Sequence, residues 1–109
     1  MILVFKDFLE AVKRDDTRRD LFICANAGMV RFEMQRIFDE ANVLELNPHH
    51  ARLERVITIG PSFAMFRVAH PFMDLPLRGL HFNAIQGLHH LDQYETGDQV
   101  KENLQAQIR

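Results

Sequence analysis

The chain has one cysteine, Cys24, in 109 residues, and no tryptophan. A lone thiol excludes the internal disulfide framework that holds many small secreted domains together. Long apolar runs are also missing. The opening Met1-Ile2-Leu3-Val4-Phe5 is interrupted at once by Lys6, Asp7 and Glu10, whereas a secretory leader needs a basic start and then roughly 7–15 unbroken apolar positions. No stretch approaches the roughly 18–20 apolar residues of a spanning helix. The expectation is a cytoplasmic protein with no membrane partner. A basic excess is absent too, with 13 Lys and Arg against 15 Asp and Glu. Dedicated polyanion binders carry strong positive charge, so this balance argues against nucleic acid as the partner.

What remains is a composition suited to one folded domain spanning residues 1–109. Hydrophobic residues make up 47% of the chain and charged ones 26%, too apolar and too balanced for disorder along the whole length. A chain of this size buries roughly 65% of its unfolded surface, which permits a core of its own.

Periodicity supplies the elements. Ile2, Phe5, Phe8, Leu9 and Val12 share one side of a helix over residues 2–14, at the amino end of a segment reaching residue 16. Leu21-Phe22-Ile23-Cys24-Ala25 is a continuous apolar run, the pattern of a strand covered on both faces. Asn26-Ala27-Gly28 then turns into a second helix over about 29–42, whose stripe is Val30, Met34, Ile37, Phe38 and Ala41. Phe32 stands off that stripe, roughly 160° from Met34 and beside Arg36. Asn47-Pro48 marks a loop that carries His49 and His50. Val56-Ile57-Thr58-Ile59, the Gly60-Pro61 turn and Phe63 to Ala69 predict a hairpin. Leu80 to Ile85 reads as a further strand. Val100, Leu104 and Ile108, with Thr96 and Gln99 at capping-box spacing, predict a closing helix in the 96–109 segment, frayed at its end. The fold class expected is α/β, or α+β, with a sheet of about four strands and two to three helices.

Catalytic signatures are sparse. The strand–turn–helix at Cys24 to Met29 offers one glycine and no lysine, unlike a phosphate loop. Ser62 lacks a nucleophile elbow and Cys24 lies in an apolar run, although a histidine could meet either one in space. The carboxylate pairs Asp15-Asp16 and Asp39-Glu40 stand in charged, solvated contexts, and Arg14, Arg18 and Arg19 are neutralised by Asp15, Asp16 and Asp20. No cofactor and no metal are expected. The alternative is a small metal- or ligand-dependent enzyme or binding protein using His70, His81, His89, His90 and Asp92, and the second alternative a weak nucleic-acid-binding accessory protein.

The most unusual stretch is Val56 to Leu91, where only Arg67, Asp74 and Arg78 are charged. It exceeds what a four-stranded domain easily buries, and apolar residues left over mark interaction sites. The expected interface residues are Phe32, Arg36, Phe63, Phe66, Phe72, Met73 and Arg78. The partner is another protein or a second copy of the chain, a homodimer through residues 63–80 being the simplest cover.

Leu77-Arg78-Gly79-Leu80-His81-Phe82-Asn83-Ala84-Ile85 resembles the approach to the second ATPase motif of phage large terminases and superfamily-2 helicases. Phe22 to Gly28 with Val30 to Met34 is similar to the strand and helix after their phosphate loop, and the Val56–Val68 hairpin fits strands those domains place between. No GKT or GKS triplet is present, and Gln86-Gly87-Leu88 stands where the acidic pair would hold magnesium. The resemblance therefore implies a non-catalytic, phage-encoded relative that regulates or inhibits a partner protein.

Overall fold

A computed structural model describes residues 3–109. Five strands form one mixed sheet in the order β2-β3-β4-β1-β5. The strands are β1 (Arg19–Cys24), β2 (His49–Ala51), β3 (Val56–Ile59), β4 (Ser62–Val68) and β5 (Ala84–Gln86), and the helices are α1 (Lys6–Lys13), α2 (Ala27–Val43) and α3 (Gly97–Gln105). The chain has an α/β fold, with one strand more than its sequence suggests. Among the described residues no helix is long and apolar enough to cross a membrane.

β1 is an interior strand, between β4 and β5, because it is apolar on both sides. It runs parallel to β4 through Arg19↔Phe63 to Cys24↔Val68, and parallel to β5 through Asp20↔Ala84 to Phe22↔Gln86. Its alternating side chains feed two cores. Phe22 and Cys24 join Phe5, Phe8, Val30, Met34, Ile37 and Phe66 beneath α1 and α2. Leu21 and Ile23 join Met73, Leu77, Phe82, Leu91, Val100 and Leu104 on the opposite face. That second core overturns the expectation of a large apolar surplus between Val56 and Leu91. Short 3-10 turns at Leu75–Leu77 and Leu88–Gln93, together with α3, form a lid that puts most of this stretch inside.

The two long connections end alike. After α1, Asp15 adopts φ 61°, and the N–H groups of Asp15 and Asp16 bond the carbonyls of Val12 and Ala11. After α2, Glu45 adopts φ 58°, and the N–H groups of Glu45 and Leu46 bond the carbonyls of Asn42 and Ala41. Both are Schellman closures with an acidic residue where glycine is usual. α1 begins after Phe5 rather than at residue 2, and Ile2, part of the expected stripe, lies outside the described residues.

Two further expectations are corrected. His49 and His50 are in a strand, β2, not in a loop, because the β3 edge gives them backbone partners at Thr58 and Ile57. The strand expected over Leu80 to Ile85 narrows to Ala84–Gln86; Phe82 instead plugs the second core and bridges Ile108. Thr96 makes no capping-box bond, since its Oγ1 donates to the Pro71 carbonyl at 2.7 Å while Gln99 reaches Asn103.

Candidate binding face

The expected interface set divides sharply. Phe66 is 0% exposed and stacks on Phe22 with ring centroids 5.1 Å apart, and Met73 is buried in the second core. Neither can touch a partner. Phe63 is half-buried and meets Phe82 edge-on at 6.4 Å. Arg36 is a clamp rather than a contact residue. Its Nε and Nη2 donate to Glu33 Oε2 at 3.2 and 3.0 Å, Nη2 also reaches the Leu3 carbonyl, and the guanidinium lies 4.4 Å from the Phe5 ring centroid. Phe32 and Phe72 remain exposed, at 53% and 55%, as does Arg78. The three do not adjoin one groove: Phe32 is on the outer side of α2, and Phe72 is in the loop after β4.

Around Phe72 the structure assembles something the sequence did not announce. Asn26 caps α2 by accepting the Met29 N–H at 2.8 Å, which fixes the first turns and presents Arg31 outward. Opposite, the β2–β3 pairing ends at Ala51↔Val56, so residues 52–55 form a tight turn closed by Arg55 N–H to the Arg52 carbonyl. Arg55 stands at φ 55°, a left-handed conformation costly for a residue with a Cβ. Between helix and turn lies a groove of about 340 Å3, with Ala27, Val30 and Met34 as apolar walls and Arg31, Arg52 and Arg55 as its cations.

A second groove, of about 360 Å3, continues from the other side of Arg55. Arg67, Val68, Ala69, Phe72, Met73 and Pro76 line it with Arg55. The sheet register creates this meeting. Phe66 N–H bonds the Arg55 carbonyl at 2.9 Å, placing Arg67 beside the turn, and Arg67 Nη1 donates to the carbonyls of Glu54 and Phe66. Among the described residues no carboxylate forms an ion pair with Arg31, Arg52, Arg55 or Arg67. Burial, and next the charge of Arg55, push the Arg67 guanidinium below its ordinary range. Burial, then Arg52 and His49, lower His50 in the same way. Arg55 thus disfavours the charge on Arg67, and Arg52 that on His50, as neighbouring like charges do.

The alternative histidine group does not come together. His70 Nδ1 accepts the Phe72 N–H, His81 is exposed at the other end of the second core, and Asp92 pairs with Lys101. His89 and His90 rings sit 4.1 Å apart, and burial followed by His89 lowers His90. Among the described residues no three His, Cys, Asp or Glu side chains could hold one metal ion. Ser62 is buried, its Oγ accepting the Arg18 N–H and donating to the Asp16 carbonyl. Burial pushes the Cys24 thiol up to about 11, with Glu33 adding to the effect, so Cys24 is no activated nucleophile. The Asn26 turn closes on its own helix through the cap, and Asp39 accepts from Gln35 on the exposed side of α2.

Arg31, Arg52 and Arg55 escaped the sequence reading, and Arg67 figured there only as one charge in an apolar stretch. Arg52 and Arg55 at the ends of a four-residue turn, and the hairpin pairing that sets Arg67 against it, were the available signals. No family model, no curated protein and no solved structure matches this chain.

Proposed function

We propose that the chain is a non-catalytic protein-binding module whose partner offers an acidic segment carrying apolar side chains. The observation that carries this reading is Arg55: held at φ 55°, it is the one residue common to both grooves, and no carboxylate pairs with it or with Arg31, Arg52 and Arg67 among the described residues. Backbone strain that persists at a surface turn suits a side chain held for use. The cations favour carboxylates, and Val30, Met34, Val68 and Phe72 favour apolar side chains set between them. A polyanion with no apolar groups would leave those walls unmatched, and the net charge of −2 supplies no wider positive field to hold it. On this reading the work is done in the cytoplasm, and any kinship with terminase and helicase ATPase cores is that of a relative which keeps the scaffold without the phosphate chemistry.

Fluorescence anisotropy tests the reading with a labelled peptide of repeated Glu-Glu-Phe units, a Lys-Lys-Phe control and labelled oligothymidylate. The acidic peptide should bind, the basic one should not, and Arg55→Glu should weaken binding at least tenfold. Tighter binding of the oligonucleotide would overturn the reading in favour of nucleic acid. Failure of all three probes with a solution mass of twice the chain would overturn it in favour of self-association.

A further inference from the structure

A different site is built at the carboxyl edge of the parallel strands. β1 leaves the sheet toward α2 on one face, whereas β4 and β5 both lead to the opposite face. Where neighbouring parallel strands depart in opposite directions, a crevice opens at their carboxyl ends. Here it is a cavity of about 90 Å3 between the end of β1, the start of α2 and the turn after β5. Its walls include Leu3, Ile23, Cys24, Met29, Glu33 and His90. Gly87 makes the turn possible: at φ 91° it passes so near β1 that a Cβ would lie 2.1 Å from the Ile23 carbonyl oxygen.

Glu33 is the decisive wall. It is 0% exposed, Arg36 satisfies only its Oε2, and its Oε1 has no hydrogen-bond partner among the described residues. A buried carboxylate oxygen left without a donor is costly, and folded proteins rarely tolerate one. A single water needs roughly 10–15 Å3 of such space, so the cavity admits a molecule of a few non-hydrogen atoms.

Charge narrows the class. Arg36 also meets Glu40, half-exposed outside the cavity, at 3.7 Å, so Glu33 shares its guanidinium, and a carboxylate oxygen bonds a charged donor more strongly than a neutral one. Burial favours the neutral forms of Cys24 and His90, so neither supplies a countercharge. A metal ion is a poor fit, because among the described residues no three ligating side chains converge. A cation with N–H donors and a short apolar body fits all the walls at once, its body against Leu3, Ile23 and Met29.

We propose that this cavity binds a short primary alkylammonium group, its N–H donated to Glu33 Oε1. The probe is ethylammonium chloride, titrated into the labelled protein while amide shifts are followed by NMR. Ethanol serves as the neutral molecule of like size and sodium chloride as the salt control. Saturable shifts at Cys24, Glu33 and His90 are expected with ethylammonium alone, and Glu33→Gln should weaken binding at least tenfold. Equal saturation by ethanol, absence of saturation, or unchanged affinity in Glu33→Gln would overturn the proposal. The ethylammonium–ethanol comparison uses the native chain, so a folding defect in Glu33→Gln leaves the test decisive. Neither Arg55 nor any residue beside it lines this cavity, and failure of the acidic-peptide test leaves this result unaffected.

Discussion

Arg67 Nη1 donates to the Glu54 carbonyl at 3.1 Å, tying strand β4 to the turn that holds Arg55 in its left-handed conformation. The bond makes Arg67 both a cation of the groove and the strut of its neighbour. Arg67→Met keeps the apolar stem and removes both roles. Such a bond contributes about 1 kcal/mol, and the urea midpoint should fall accordingly. Binding of the Glu-Glu-Phe peptide should fall more than the lost cation alone explains, because Arg55 is no longer held. Equal binding by Arg67→Met and the native chain would remove Arg67 from the site.

Phe66 and Phe72 separate core from surface within one strand and its following loop. Phe66 lies between Phe5 and Phe22, and Phe66→Ala should cost about 3–5 kcal/mol in urea unfolding. Phe72→Ala should stay within about 0.5 kcal/mol of the native chain and weaken peptide binding instead. A large stability loss in Phe72→Ala would place it in the core.

Two glycines with positive φ offer a second contrast. A Cβ at Gly60 meets nothing within 4 Å, so Gly60→Ala should cost about 1 kcal/mol through the backbone alone. A Cβ at Gly87 runs into the Ile23 carbonyl, so Gly87→Ala should cost about 3 kcal/mol or more. Similar denaturation midpoints for the two variants would show that the β1–β5 contact yields easily.

Glu45 closes α2 in a conformation that suits glycine better, and its side chain is exposed. Glu45→Gly should therefore raise stability by about 0.5–1 kcal/mol, read as an upward shift in thermal midpoint. No shift would mean that the greater freedom of glycine in the unfolded chain offsets the relieved strain.

Cys24 gives the pH dependence. Its thiol is pushed from an ordinary 9.0 to about 11 by burial and then by Glu33. The unfolded chain therefore loses this proton first, and the associated stability, complete below pH 9, declines as pH rises from 9 through 11. Cys24→Ala should flatten that decline. At pH 8 the native thiol should alkylate roughly a hundredfold more slowly than in urea, from the thiolate fraction alone. Equal alkylation rates would contradict the burial of Cys24.

The legible parts of the fold are those where one segment carries its own pattern. Leu21 to Cys24 announced a two-sided strand, and Val30, Met34, Ile37 and Ala41 announced the buried side of α2. β2 was hidden because His-His-Ala has no strand propensity of its own; the neighbouring β3 edge supplies it. Phe66 and Met73 were misplaced because nothing local tells one aromatic of an apolar stretch from another. Phe66 faces the core beneath α1 and α2, and Met73 is covered by a lid built from the 3-10 turns and α3, so the burial of each is set by tertiary packing. The grooves were illegible for the same reason. Arg31, Arg55 and Arg67 lie on three elements, and only the hairpin register and the α2 cap bring them together.

The interior position of β1 also sets an order of events. The ribosome delivers this strand well before its neighbours β4 and β5. Until Ala84–Gln86 emerges, one side of β1 keeps its backbone groups open to any strand that can pair with it. Residues 107–109 then act as a latch: Phe82 N–H bonds the Gln107 carbonyl, and Arg109 N–H bonds the Phe82 carbonyl, both at 2.8 Å. Completion of the sheet thus waits for residues 84–86, and a chain cut before Gln107 leaves the plug of its second core unfastened.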